Sequence, residues 1–208
     1  MAPPKGDLQP FLQPLADSRV VADLIGRLEE RRHVAATGQW GSCALVLAAV
    51  VQRLMGRPML VLTAHLDEAD DAVDQVMFFT RGGGADSGRR PETADVRLYP
   101  AFEVLPGESN ISHELSAQRL ELLTDLSGTR GGEKQGAGRP DFIVAPVQAV
   151  MQPSPGEELL AELVKPVRVG QTLDRDALVR WLAEHGYTRL DAVEDAGDFA
   201  VRGEIVDV

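Results

Sequence analysis

The sequence predicts an α/β protein with a parallel sheet, followed by a smaller α+β domain. Two observations predict this fold class. Helical and strand-length apolar segments alternate over residues 17–152, the order that places parallel strands side by side with helices between them. The composition then changes at the turn-rich segment from Pro153 to Gly156, which indicates a domain boundary. We therefore expect a tail over 1–16, a first domain over 17–152 and a second, incomplete domain over 153–208.

Apolar periodicity and turn residues predict the elements of the first domain. Its expected helices are one capped by Ser18 and ending near Arg32, one over 42–55, one capped by Asp67 and one over 114–126. Its expected strands are 33–37, 58–64, 96–99 and 141–145. The strand over 58–64 is a continuous apolar run, which is typical of a strand that is buried on both faces.

The remaining segments are loops or belong to the second domain. The Gly-rich stretches 81–94 and 127–140 are interpreted as solvated insertions without function. Beyond the boundary we expect a strand over 164–169 and a helix capped by Asp174. The alternating segment 198–208 predicts a further strand that reaches the last residue, and we interpret the chain as a piece of a longer protein.

Composition excludes several classes of function. With 21 basic and 32 acidic residues the net charge is −11, which disfavours a free-standing nucleic-acid binder because phosphate binding needs clustered Lys and Arg. The single cysteine, Cys43, excludes an internal disulfide, and the four scattered histidines show no metal-ligand spacing. No apolar stretch is long enough for a membrane span and no signal peptide precedes the first domain, so we expect a cytoplasmic protein.

A glycine turn between the strand over 33–37 and the next helix resembles a phosphate-binding loop. In a working loop the second Gly is followed by a Lys that reaches the phosphates and by a Ser or Thr that holds Mg²⁺. Here Cys43 stands where the second Gly belongs, Ala44 at the Lys position and Leu45 at the Ser/Thr position. The degenerate loop predicted by this spacing consists of Gly38, Gly41, Ser42, Cys43, Ala44 and Leu45.

This loop is expected to hold no cofactor, because the groups that bind phosphate and metal are replaced. We expect Trp40 to fill the space that a phosphate would take, and Cys43 to be a packed, inert side chain. An ordinary glycine turn before a helix is the alternative interpretation.

Three segments carry motifs beyond this turn. They are YPAFEVLP at 99–106 with SAQRL at 116–120, FIVAPVQAVMQ at 142–152, and GY at 186 leading to GDFAVRGEIVD at 197–207. Together they resemble the amino-terminal module of the bacterial transcription-repair coupling factors, which is similar to the repair protein UvrB. The last segment is the most specific, since it closely matches the signature GEFAVRGGILDVF. Glu204 replaces the second Gly of that signature, which puts the local turn in doubt.

The resemblance covers about 17–208. It implies a RecA-like first subdomain that has lost its nucleotide chemistry, and a second domain that docks the damage sensor UvrA. It places Arg202 at a position implicated in UvrA contact, and we expect this arginine to be solvent-exposed on the sheet of the second domain, with its guanidinium free to meet a UvrA carboxylate. The alternative is a surface arginine paired with Glu194 or Asp198. It also implies that the longer family proteins bind RNA polymerase and DNA, and translocate on DNA with ATP, through regions outside this chain.

We therefore expect a non-catalytic UvrB-like module, without cofactor and with no membrane contact, that recruits UvrA in transcription-coupled nucleotide excision repair. One alternative is an active UvrB-type ATP-dependent helicase subunit, which Ala44 argues against. The loop's missing Lys, and the small number of aromatic residues over 96–113, favour the coupling factor. Another alternative is an unrelated α/β enzyme that binds a phosphorylated ligand at Gly38. That enzyme would need an acid/base pair nearby, and none is evident in the sequence.

Overall fold

The computed structural model of the chain describes residues 10–30, 33–81, 94–102, 112–127 and 139–208. The helices are α1 (Gln13–Ala16), α2 (Arg19–Glu30), α3 (Cys43–Met55), α4 (Leu66–Thr80), α5 (His113–Ser127), α6 (Val147–Met151), α7 (Glu157–Leu163) and α8 (Arg175–Glu184). The strands are β1 (Met59–Thr63), β2 (Val96–Leu98), β3 (Phe142–Pro146), β4 (Thr188–Arg189), β5 (Asp198–Arg202) and β6 (Ile205–Asp207). The described residues form two compact units, the first up to 101 with 139–151 and the second over 102–127 with 152–208.

The first unit contains a three-stranded parallel sheet in the order β1-β3-β2. Val61 and Leu98 both lie opposite Val144 in the central strand. Helix α4 covers the face of the sheet that carries these three side chains, and its Ala69 and Ala72 pack against Val144 in one apolar cluster. The parallel sheet and its alternation with helices confirm the predicted mixed α/β architecture.

The helices before the sheet begin and end at the residues that capping chemistry favours. Ser18 accepts a hydrogen bond from the backbone N–H of Val21 at 3.3 Å, as expected of the residue that caps α2. Helix α3 ends at Gly56, whose φ of +62° is the left-handed conformation typical of a helix C-terminus. A second apolar cluster of Leu12, Val21 and Val50 joins α2 and α3 to the segment before them.

Helix α4 begins slightly earlier than the sequence predicts, with a different capping group. The expected cap was Asp67, whereas His65 precedes the helix and Glu68 supplies the capping carboxylate. Glu68 Oε2 accepts from the backbone N–H of Ala64 at 3.1 Å and of His65 at 3.3 Å. Several neighbouring acidic residues could serve this role, so periodicity alone did not identify the one that does.

Two predictions for the first unit are wrong. Residues 33–37 form no strand: they pair with no strand among the described residues, and all but Val34 are exposed. Strand β1 is not buried on both faces either, because Leu60 is 57% and Leu62 53% exposed. Alternate side chains of a strand point to opposite faces, and α4 covers only the face that carries Val61.

The second unit combines α5, α7 and α8 with a small mixed sheet. Strand β4 pairs parallel to β5, and β5 pairs antiparallel to β6. Asp174 caps α8 as predicted, since its Oδ1 accepts from the N–H of Ala177 at 2.9 Å. The strand expected over 164–169 is wrong, and the sequence analysis missed α7, a helix of only seven residues. The predicted boundary after residue 152 stays a prediction.

Candidate partner-binding surface

The β5–β6 hairpin carries Arg202 at its tip. The strands are joined by Gly203 and Glu204, and Arg202 lies opposite Ile205. Gly203 has a φ of +61°. Glu204 has no positive φ, because among the described residues only glycines have one. A two-residue turn with glycine in the first position alone fits a type II′ turn. The doubt raised by Glu204 is thereby resolved, because the second position of this turn needs no glycine.

The hairpin is buried at its base and exposed at its tip. Phe199 and Ala200 in β5 are fully buried, and they anchor the strand in the second unit. Arg202, two residues further on, has a side chain that is 68% exposed. The prediction that this arginine is exposed on the sheet of the second unit is confirmed.

Arg202 makes an ion pair within the chain. Its Nη2 donates to Oδ2 of Asp207 at 2.5 Å. Ala200 lies opposite Asp207 in the register, so Asp207 is a diagonal neighbour of Arg202 on one face of the hairpin. The hydrogen bond that Arg202 donates to Asp207, together with the negative charge of Asp207, raises the pKa of Arg202, so the guanidinium stays charged. The alternative partners that were expected, Glu194 and Asp198, were wrong, because the contact is made with Asp207.

The glycine turn is exposed and lacks the geometry of a phosphate cradle. Gly38 and Gly41 have φ values of +81° and +54°, and no strand precedes them among the described residues. Trp40 is 87% exposed, so the prediction that it fills a vacated phosphate space is wrong. The turn is closed by a backbone hydrogen bond of 3.2 Å from the N–H of Cys43 to the carbonyl of Trp40.

The side chains at the start of α3 separate into exposed and packed residues. Ser42 precedes the helix without a side-chain capping bond, and both it and Ala44 are exposed. Cys43 is also exposed, which contradicts the packed side chain that was expected. The buried residues of α3 begin one to two turns later, so its first residues lie outside the core. Leu45 is half-buried and packs against the α4 cluster.

Arg119, from the SAQRL motif, is buried in the second unit and makes contacts within it. Its guanidinium lies 4.5 Å from the centre of the Phe102 ring, and the residue is only 3% exposed. It donates to Oε1 of Gln152 at 3.2 Å and to the carbonyl of Pro153 at 3.3 Å. The motif arginine thus ties α5 to the segment that follows α6.

In the described ranges, no three or more His, Cys, Asp or Glu side chains are grouped so that they could hold a metal ion. The helices described here are all too short or too polar to cross a membrane.

Comparison with known proteins gives consistent matches. Residues 166–208, which contain the hairpin, match the model of the UvrB interaction domain. The transcription-repair-coupling factor of Bacillus subtilis is 27% identical over 97% of this chain, and that of Myxococcus xanthus 29% identical over 91%. The factor of Mycobacterium bovis is 31% identical over 80% of the chain. The chain is a relative of the transcription-repair-coupling factors. It spans about 15% of the length of the Bacillus and Myxococcus proteins.

These matches confirm the family that the sequence motifs indicated. The sequence analysis identified Arg202 and its exposure but missed Asp207, its partner, and Arg175, which contacts the turn beside it. Both contacts depend on the strand register and on where α8 begins in space. The nearest signal in the sequence is the alternation of 198–207, which places Arg202 and Asp207 on one face once the turn is known.

Proposed function

We propose that this chain is a non-catalytic docking module of a transcription-repair-coupling factor, and that it recruits UvrA during transcription-coupled nucleotide excision repair in the cytoplasm. The observation that carries the proposal is the exposed Arg202 on a hairpin anchored by Phe199, within the segment that matches the UvrB interaction domain. Arginine is a favoured interface residue because its planar guanidinium can pair with a carboxylate through two N–H groups.

The geometry leaves donors available for such a partner. Asp207 accepts one hydrogen bond from Nη2, and a guanidinium has five N–H donors in total. A UvrA carboxylate can therefore bind the remaining donors while Asp207 holds the side chain. The contact combines charge with a fixed direction, which supports specificity more than a point charge would.

The first unit is proposed to be a degenerate RecA-like subdomain without nucleotide chemistry. Its parallel sheet is compatible with that origin, and Ala44 and Leu45 occupy the positions at which phosphate and Mg²⁺ would be bound. Without those groups the charge that develops on a transferred phosphate has no counter-charge from this loop. RNA polymerase, DNA and the ATP-driven motor are proposed to involve other regions of the longer family proteins.

The test is calorimetric titration of UvrA from the same organism into the 208-residue chain and its Arg202→Ala variant. We expect Arg202→Ala to weaken binding by about thirtyfold or more, the scale of an interface hot spot. The melting temperature should be unchanged, because an exposed ion pair contributes little to folding.

Arg180→Ala is the matched control. Arg180 is also an exposed arginine of the second unit, but it belongs to α8 and not to the hairpin. It should bind UvrA like the parent chain. Unchanged binding by Arg202→Ala, or a loss that follows the melting temperature, would refute the docking role of Arg202.

A further inference from the structure

The turn that follows Arg202 is tied to the first residue of α8. Arg175 Nη1 donates to the carbonyl of Gly203 at 2.8 Å, and the same nitrogen lies 3.5 Å from Oε1 of Glu204. These residues all belong to the second unit. A single side chain therefore bridges the start of a helix and the tip of the hairpin.

Arg175 is itself held in place. Its Nε and Nη2 donate to Oδ1 of Asp176 at 2.9 and 2.7 Å. Asp174, the preceding residue, caps the start of α8 by accepting a hydrogen bond from the backbone N–H of Ala177. All three guanidinium nitrogens of Arg175 are thus engaged, and its side chain, at 37% exposure, is more buried than that of Arg202.

The hairpin needs such a support. Strand β6 contains three residues and lies at the edge of its sheet. Strand β4 pairs only with Asp198 and Phe199, so the outer part of the hairpin is two-stranded, and short two-stranded ribbons are only marginally ordered on their own. The orientation of Arg202 depends on the turn directly after it. A hydrogen bond to the Gly203 carbonyl restricts that turn from outside the hairpin.

We propose that Arg175 is a positioning residue for partner binding: it holds the Gly203 turn so that Arg202 is presented in one orientation. The inference rests on the proposed function, since it assigns Arg175 a role through Arg202 and not in direct contact with the partner. Ordering the hairpin before binding reduces the conformational entropy that is lost on association.

The chemistry of the contact predicts how substitutions rank. Arginine can bind Asp176 through one edge and Gly203 through its remaining nitrogen. Lysine offers one ammonium group on a flexible stem and cannot maintain both contacts in a fixed geometry. Arg175→Lys should therefore restore only part of the function lost in Arg175→Ala.

The experiment measures the affinity of UvrA for the 208-residue chain by calorimetry, alongside the melting temperature. Arg175→Ala should weaken binding by about threefold to tenfold through the lost ordering of the hairpin. Its melting temperature should match that of Arg180→Ala, the control on the same helix, which should bind like the parent. Backbone amide exchange at Ile205 should be faster in Arg175→Ala than in the control.

A double-mutant cycle separates a positioning role from a general structural one. In an Arg202→Ala background, Arg175→Ala should cause no further loss of affinity, because the side chain that it positions is gone. An equal loss in both backgrounds, or a loss that follows unfolding, would overturn the inference.

The two proposals fail in different ways. If Arg202→Ala binds UvrA like the parent, the proposed docking role is wrong and the positioning role falls with it. If Arg202→Ala loses binding but Arg175→Ala does not, only the positioning role is wrong.

Discussion

The glycine turn and the β5–β6 hairpin each contain a glycine of positive φ, Gly38 at +81° and Gly203 at +61°. They differ in what surrounds that glycine. Gly203 lies between two paired strands, and its carbonyl accepts a hydrogen bond from Arg175. The residue before it, Arg202, is held by an ion pair with Asp207. The residues from Gly38 to Ala44 are all exposed, and Trp40 extends into solvent.

The comparison shows that a motif becomes a candidate site when other parts of the chain fix its geometry. The glycine turn has the spacing of a phosphate loop but neither its chemical groups nor a preceding strand. The hairpin departs from its family signature at Glu204, yet its turn and register are intact. We therefore propose the hairpin, and not the glycine turn, as the partner-binding surface.

The largest expected effect concerns the base of the hairpin. Phe199 is 1% exposed, and Phe199→Ala should destabilise the second unit by about 3–5 kcal/mol because it removes a buried ring and leaves a cavity. Chemical denaturation followed by circular dichroism measures this. UvrA binding should be lost together with folding, whereas Trp40→Ala, the aromatic of the glycine turn, should leave both unchanged. A change in stability below about 1 kcal/mol would mean that Phe199 does not anchor the hairpin.

A smaller effect is expected at the two glycines. An added Cβ would meet no atom within 4 Å at Gly203 or at Gly38, so the cost of alanine is conformational alone. Each substitution should destabilise by about 1–2 kcal/mol because an L-residue disfavours positive φ. Gly203→Ala should also weaken UvrA binding, whereas Gly38→Ala should not, as measured by titration under conditions where both variants are folded. Equal binding losses in the two variants would remove the distinction between the regions.

The smallest expected effect is that of nucleotide. Millimolar Mg²⁺ and ATP should leave the melting temperature unchanged, because Ala44 and Leu45 supply neither a cation nor a metal-binding hydroxyl. Scanning calorimetry with and without nucleotide provides the measurement, with a bona fide P-loop protein as positive control. Stabilisation that saturates at micromolar ATP would restore the glycine turn as a nucleotide site.

Local signals in the sequence predicted much of this fold. Apolar periodicity and capping residues identified α3, α8 and the strands β1 and β3, because these elements depend on neighbours in the sequence. The exposure of Arg202 was expected from the family resemblance, which places it at a contact position, and not from local periodicity.

Failures occurred where a distant partner decides the outcome. Residues 33–37 have the composition of a strand, but a strand also needs a partner, and among the described residues they pair with neither edge strand of the β1-β3-β2 sheet. The exposure of Leu60 depends on which face α4 covers, and the Arg202–Asp207 pair depends on the register of a hairpin. Tertiary packing determines these features, so the local sequence pattern does not reveal them.

Hydrogen–deuterium exchange of the 208-residue chain with and without UvrA tests the central claim most directly, because it reports on both regions in one experiment. The account predicts slower exchange on UvrA binding over 198–207 and unchanged exchange over 38–45. Protection of 38–45 with no change over 198–207 would contradict it, and would move the binding surface from the hairpin to the glycine turn.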